Sequence, residues 1–134
     1  MNTMSLRIAI ASLLLFTATT ASACGHCVED RIAAVYDHTL VKRTVVGKFQ
    51  IVYFAWDGPL PRDEATRKRI LALGAAVTGV AKGSVRVAME PAAIAVAFDP
   101  RHSSAAAIAA ALQKKLQPLK VGIVPLLARA AGAS

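Results

Sequence analysis

The block Phe49-Gln-Ile-Val-Tyr-Phe-Ala-Trp56 is apolar at nearly every position, so a strand built from it carries hydrophobic side chains on both sides. Such a strand cannot show either side to water. It predicts a central strand covered from above and below, and the rest of the chain has to supply both covers. Asp57-Gly58-Pro59 breaks it.

The segments that follow read clearly. Pro61, with Asp63 and Glu64 behind it, opens a helix whose inward stripe is Ile70, Leu73 and Val77, and Gly79 and Gly83 bracket its exit. Val85, Val87 and Met89 then alternate toward Glu90-Pro91, and Ile94, Val96 and Phe98 alternate back, which predicts a hairpin. Asp99-Pro100 stops the second strand. Ser103 or Ser104 caps an Ala-rich helix with Ile108, Leu112 and Leu116 turned inward. Pro118 closes it, 119–124 predicts a last strand, and 127–134 reads as a mobile Ala/Gly tail. Residues 49–126 thus follow the order β-α-β-β-α-β, the split βαβ or ferredoxin-like form of an α+β domain.

Two helices on one face leave the other face of such a sheet bare. The expectation is that Val52, Phe54 and Trp56 point out through it. The segment 24–48 offers the cover: Val28, Ile32, Val35/Tyr36 and Leu40 recur at helical spacing, so one helix is expected over 27–45. Glu29 and Asp30 suit its positive end, and Gly47 ends the pattern.

Residues 1–23 read as a secretory signal peptide. Arg7 gives the positive start, residues 8–16 the apolar run and Ala21-Ser22-Ala23 the cleavage box. An apolar run of nine is too short for a helix across a bilayer, which takes about 20 residues. The expected location is periplasmic or secreted. Lipidation of Cys24, which stands just past the cleavage box, is the alternative and would anchor the chain to a membrane. Cleavage removes Arg7 and leaves fifteen bases against eight acids. The bases are scattered apart from Arg67-Lys68-Arg69, and aromatics are 5% of residues, so the surplus reads as solvated surface and nucleic acid is not an expected partner. No set of residues for nucleophilic, phosphate or paired-carboxylate chemistry stands out, so catalysis is not expected.

Cleavage after Ala23 would make Cys24-Gly-His-Cys27 the mature terminus. A disulfide closing so short a loop beside a chain end stabilises little. A thiol–disulfide oxidoreductase is a second reading, since a helix start favours a thiolate, but that site type needs a core strand immediately before the first Cys. Two thiolates at a loop-to-helix junction suit a soft metal: linear Cu(I), or half of a tetrahedral Zn(II) shell, with His26 as a third donor. A free amine, two amide nitrogens and the imidazole of His26 would likewise enclose Cu(II) or Ni(II) in a square plane. His38, about 16 Å further along one continuous helix, is too distant to share the ion, and His102 reads as a loop residue.

Cys24-Gly-His-Cys-Val28, with Ile32 and Ala33 after it, is similar to the metal loop and first helix of heavy-metal-associated domains, the copper-chaperone and mercury-carrier group. Residues 70–116 resemble the remainder of that domain, through Gly79-Val80, Ser84-Val85-Arg-Val87, Ala95-Val96-Ala-Phe98-Asp99-Pro100 and Ile108. The resemblance implies a ferredoxin-like fold and binding of copper, zinc or mercury through Cys24 and Cys27 with His26 as an optional ligand. It also implies delivery to a metal transporter or another periplasmic protein. One departure is plain. In that family the cysteines lie between the first strand and first helix, whereas here residues 56–64 hold no Cys, Met or His, and the motif precedes an additional helix. A metal-free interaction module is the third reading.

Overall fold

The computed structural model describes residues 27–130, and the expected signal segment lies outside them. Two helices come first, α1 (Val28–Val35) and α2 (His38–Gly47). Then follow β1 (Gln50–Asp57), α3 (Glu64–Ala75), β2 (Arg86–Met89), β3 (Ala92–Phe98), α4 (Ala105–Leu116) and β4 (Gly122–Ala130), with a 3-10 turn at Gln117–Leu119. The strands form one sheet in the order β2-β3-β1-β4, with every neighbouring pair antiparallel. The protein is a mixed α+β structure. From β1 onward its elements alternate as the sequence predicts, and β1 is indeed internal.

Helices α3 and α4 each start at a capping side chain. Asp63 accepts the amide of Thr66 at 2.8 Å to open α3, and Ser104 accepts that of Ala107 at 3.1 Å to open α4. Pro61 lies ahead of α3, in the loop. Gly79 adopts φ +94°, a left-handed conformation that a side chain would strain, and turns the chain out of α3 toward β2. Ser84, 1% exposed, then exchanges two hydrogen bonds with the backbone of Ala97, at 3.1 and 3.3 Å, just ahead of the β2–β3 ladder. The β2–β3 turn is Glu90-Pro91, with a cis peptide.

Both faces of the sheet are covered, but the parity of β1 is the reverse of the one expected. Val52, Phe54 and Trp56 pack with Ile70, Ile108, Leu112 and Leu116 of α3 and α4. Ile51 and Tyr53 face the other way, together with Ala93, Ala95 and Ala97 of β3, and are covered by Val35 of α1 and Leu40 of α2. The reason is physical: when both sides of a strand are apolar, burial does not choose its register, and a shift by one residue exchanges its faces. The larger side chains lie on the α3/α4 side. The opposite side of β3 is paved with alanine, which lets the N-terminal helices settle close to the sheet.

That N-terminal layer is two helices, not one. Val35 ends α1, Tyr36 is extended, and Asp37 begins again as the N-cap of α2, taking the amide of Leu40 at 3.0 Å. An aspartate that can bond the backbone three residues on competes with helix continuation, although the apolar spacing runs straight through it. α2 ends at Gly47, as the pattern predicts, and the left-handed conformation that closes it falls on the next residue, the cap Lys48 (φ 56°). At the other end of the chain β4 is longer than 119–124. It pairs with β1 from Asp57↔Gly122 to Gln50↔Ala130, so residues 127–130 belong to the sheet and not to a tail. Pro125, which lacks an amide hydrogen, sits in this edge strand at a register shift, where a missing donor is tolerated.

Candidate metal centre

Of the three expected ligands, Cys27 lies within the described residues, and Cys24 and His26 lie outside them. Cys27 is exposed and occupies the N-cap position of α1, in extended conformation. Its carbonyl accepts the amide of Arg31 at 3.1 Å, which closes the first helical turn. The sulfur meets opposing influences. The backbone amide of Asp30 favours the thiolate, but the carboxylates of Asp30 and Glu29, both in the first turn, accept from the thiol and repel its charged form. The balance holds the thiol above its ordinary pKa. The same pair of acids places negative charge beside any cation that the sulfur would hold.

The position of Cys27 in the fold follows from its neighbour one turn on. Arg31 Nη1 donates to the carbonyl of Ala92 at 2.6 Å, at the start of β3 and next to the Glu90-Pro91 turn. Asp37, at the end of the α1–α2 link, is bonded to Arg86, which pairs with Ala95 further along β3. So α1 runs from the Ala92 end of the sheet toward its middle, and Cys27 stands at the Ala92 end. Ala93 is paired with Ala55 of β1, so this is also the end at which β1 finishes and the loop to α3 begins. The additional helix therefore returns the cysteine to the end of the sheet that carries the first strand–helix loop.

A cleft of about 440 Å³ opens at this end. Arg31, Arg62, Trp56, Asp57 and Glu90 line it, with Ala55 and Val124 among its apolar residues. The Arg62 guanidinium lies 4.2 Å above the indole of Trp56, whose Nε1 donates to the carbonyl of Ala88 at 3.0 Å. Arg62 also stands 3.7 Å from the almost wholly exposed carboxylate of Asp57, a contact of little energetic weight. Sequence reading missed these residues because they come from segments up to about 90 positions apart. The one local signal was the four-residue spacing of Cys27 and Arg31, by which the Arg31 amide closes on the Cys27 carbonyl.

His38 is exposed at the first position of α2, beyond the break in the helix. His102 is a loop imidazole with Nδ1 3.1 Å from Asp99 Oδ2. Among the described residues, no three His, Cys, Asp or Glu side chains converge where an ion could be held. Also among the described residues, no helix is long and apolar enough to cross a membrane. No protein-family model, curated protein or solved structure matches the chain.

Proposed function

We propose that this chain is an exported, soft-metal-binding protein with a ferredoxin-like core, which carries, buffers or senses its ion through Cys24 and Cys27, with His26 as a third donor. Copper is the leading cargo, with zinc and mercury behind it. The observation that carries the reading is the placement of Cys27. It is exposed at a loop-to-helix junction, at the same end of the sheet as the loop between β1 and α3. The sheet order β2-β3-β1-β4 and the β-α-β-β-α-β succession support the fold assignment.

The state of Cys27 argues against that thiol as an exchange nucleophile: such a group must ionise near neutral pH, and the acidic neighbours of Cys27 work against that. A metal ion displaces the thiol proton for itself, and the same carboxylates attract it. Delivery to a membrane transporter or another periplasmic protein would proceed by ligand exchange at this exposed end.

The test is metal analysis with intact mass on protein exported and purified under reducing conditions. One equivalent of copper or zinc, lost in Cys24→Ser and in Cys27→Ser, supports the reading. Metal content that ignores both substitutions, or a fatty-acylated Cys24, sinks it. His26→Ala reports whether the imidazole takes part, through a weaker hold on Cu(II) in particular.

A further inference from the structure

Bases that are scattered in the sequence are gathered by the fold on the outer face of α3 and α4. A Cβ built on Gly74 would sit 3.9 Å from Leu112 Cδ1, and one on Gly79 3.3 Å from Ile108 Cδ1. Advancing past the end of α3 therefore means retreating along α4: the two run antiparallel. Lys68 and Arg69, early in α3, consequently lie level with the end of α4, where Lys114 and Lys115 stand, and Lys120 follows just beyond. All five are exposed. Two acids stand at the start of α3: Glu64, which Arg67 holds through two bonds of 2.6 and 2.7 Å, and the cap Asp63, bonded to the Thr66 amide, so the five bases still outnumber them.

The remainder of this outer face is small. Its other exposed positions include Ala65, Ala72 and Ala75 on α3 and Ala106, Ala107 and Ala110 on α4, with Gln117 and Pro118 between Lys115 and Lys120. The large exposed hydrophobic residues, Val28, Tyr36, Val45, Val46 and Val124, all lie on other elements. Without anchors of that kind the face does not suit a protein interface, whose energy concentrates in a few large buried side chains. A low surface of alanine with lysine and arginine at its border suits a broad anionic plane instead. The long basic stems can reach phosphates while the alanines approach closely.

From this we infer that the α3–α4 face binds anionic phospholipid bilayers, holding the protein at a membrane surface by charge and without insertion. The inference is independent of the metal reading, because α3 and α4 lie on the side of the sheet opposite α1 and Cys27.

The experiment is partition of the full mature chain onto large vesicles of about 30 mol% phosphatidylglycerol in phosphatidylcholine, compared with phosphatidylcholine alone, at low and physiological salt. Binding should require the anionic lipid and weaken as salt rises. The triple variant Lys68→Gln/Lys114→Gln/Lys115→Gln should lower the partition coefficient about 100-fold, from about fivefold for each base near the surface. A second triple, Lys42→Gln/Lys48→Gln/Lys82→Gln, removes the same charge elsewhere and should change it less than threefold. Equal losses in the two triples would reduce the effect to net charge and overturn the inference. So would the absence of binding at low salt, or equal binding to uncharged vesicles. All six lysines are exposed and none has a described side-chain hydrogen bond, and unchanged circular dichroism of both triples confirms folding.

Discussion

Arg86 Nε stands 2.8 Å from Asp37 Oδ2 and ties the link between the two N-terminal helices to an edge strand of the sheet. The other oxygen of Asp37 accepts the Leu40 amide, so a single carboxylate starts α2 and fastens it. Asp37→Ala removes both roles, and Asp37→Asn keeps an acceptor while losing the charge. We expect the melting temperature to fall by a few degrees for Ala and by less for Asn. Arg86→Ala should add little on top of Asp37→Ala. Additive losses in that double-mutant cycle would show that the pair does not act as a unit.

The alanine floor under these helices has a testable role. Ala95 is fully buried beneath the N-terminal layer. Ala95→Leu inserts bulk where nothing larger fits and should destabilise by about 1–3 kcal/mol. Hydrogen exchange should locate the damage, with α1 and α2 losing protection well before β1 and β3. Uniform loss across the sheet would mean that the two layers unfold as one.

Two left-handed positions predict effects of opposite sign. Lys48 bears φ 56° at the end of α2, so Lys48→Gly should stabilise by about 0.5–1 kcal/mol. Gly79 already has the suitable residue, and Gly79→Ala should destabilise by at least as much, with Ile108 only 3.3 Å from the new methyl. Denaturant midpoints decide it, and a shared sign for the two substitutions would refute the backbone account.

Acid should weaken the fold within a defined window. The Leu40 amide lowers the pKa of Asp37, the Thr66 amide that of Asp63, the Arg67 guanidinium that of Glu64 and the Arg101 guanidinium that of Asp99. Each folded value lies below its unfolded one of about 4. Their stabilisation is therefore complete above about pH 4 and is lost as pH falls further, through the folded values. Chemical denaturation from pH 7 down to about 2 should give a flat midpoint that drops only at the acid end. A loss that begins near pH 6 would point to histidine instead.

The thiol of Cys27 should behave oppositely to an activated cysteine. In Cys24→Ser its alkylation by iodoacetamide should follow a midpoint above that of an ordinary thiol. Asp30→Asn keeps the helpful backbone amide but removes the carboxylate, so the midpoint should fall, and Glu29→Gln should act in the same direction. If the midpoint lies near neutrality in the parent, the acidic neighbours do not control the sulfur and the case for exchange chemistry revives.

Much of the architecture could be read from the chain because its signals are local. Asp63 and Ser104 announce their helices, and Val85–Val87 against Ile94–Phe98 announce the hairpin. What the chain leaves open is relational. The parity of β1 depends on which helices reach it, because Ile51 and Val52 are equally apolar. The break at Tyr36-Asp37 hides inside a spacing that suits one helix, since Val35 and Leu40 face the same alanine floor from two separate helices. The cleft residues and the α3–α4 bases meet only after the sheet has formed, so no window of sequence contains them. The Cys24-Gly-His-Cys27 motif was visible in the sequence, but the placement of Cys27 at the Ala92 end of the sheet was not.

Trp56 is the single tryptophan of the chain, almost wholly buried, with a guanidinium on its face and a carbonyl at its nitrogen. Its emission should therefore be blue-shifted in the native protein and should respond when Arg62 is drawn away. Because the ring sits at the end of the sheet that also carries Cys27, the molecule contains an intrinsic optical gauge of what happens there, readable without a label or an engineered probe.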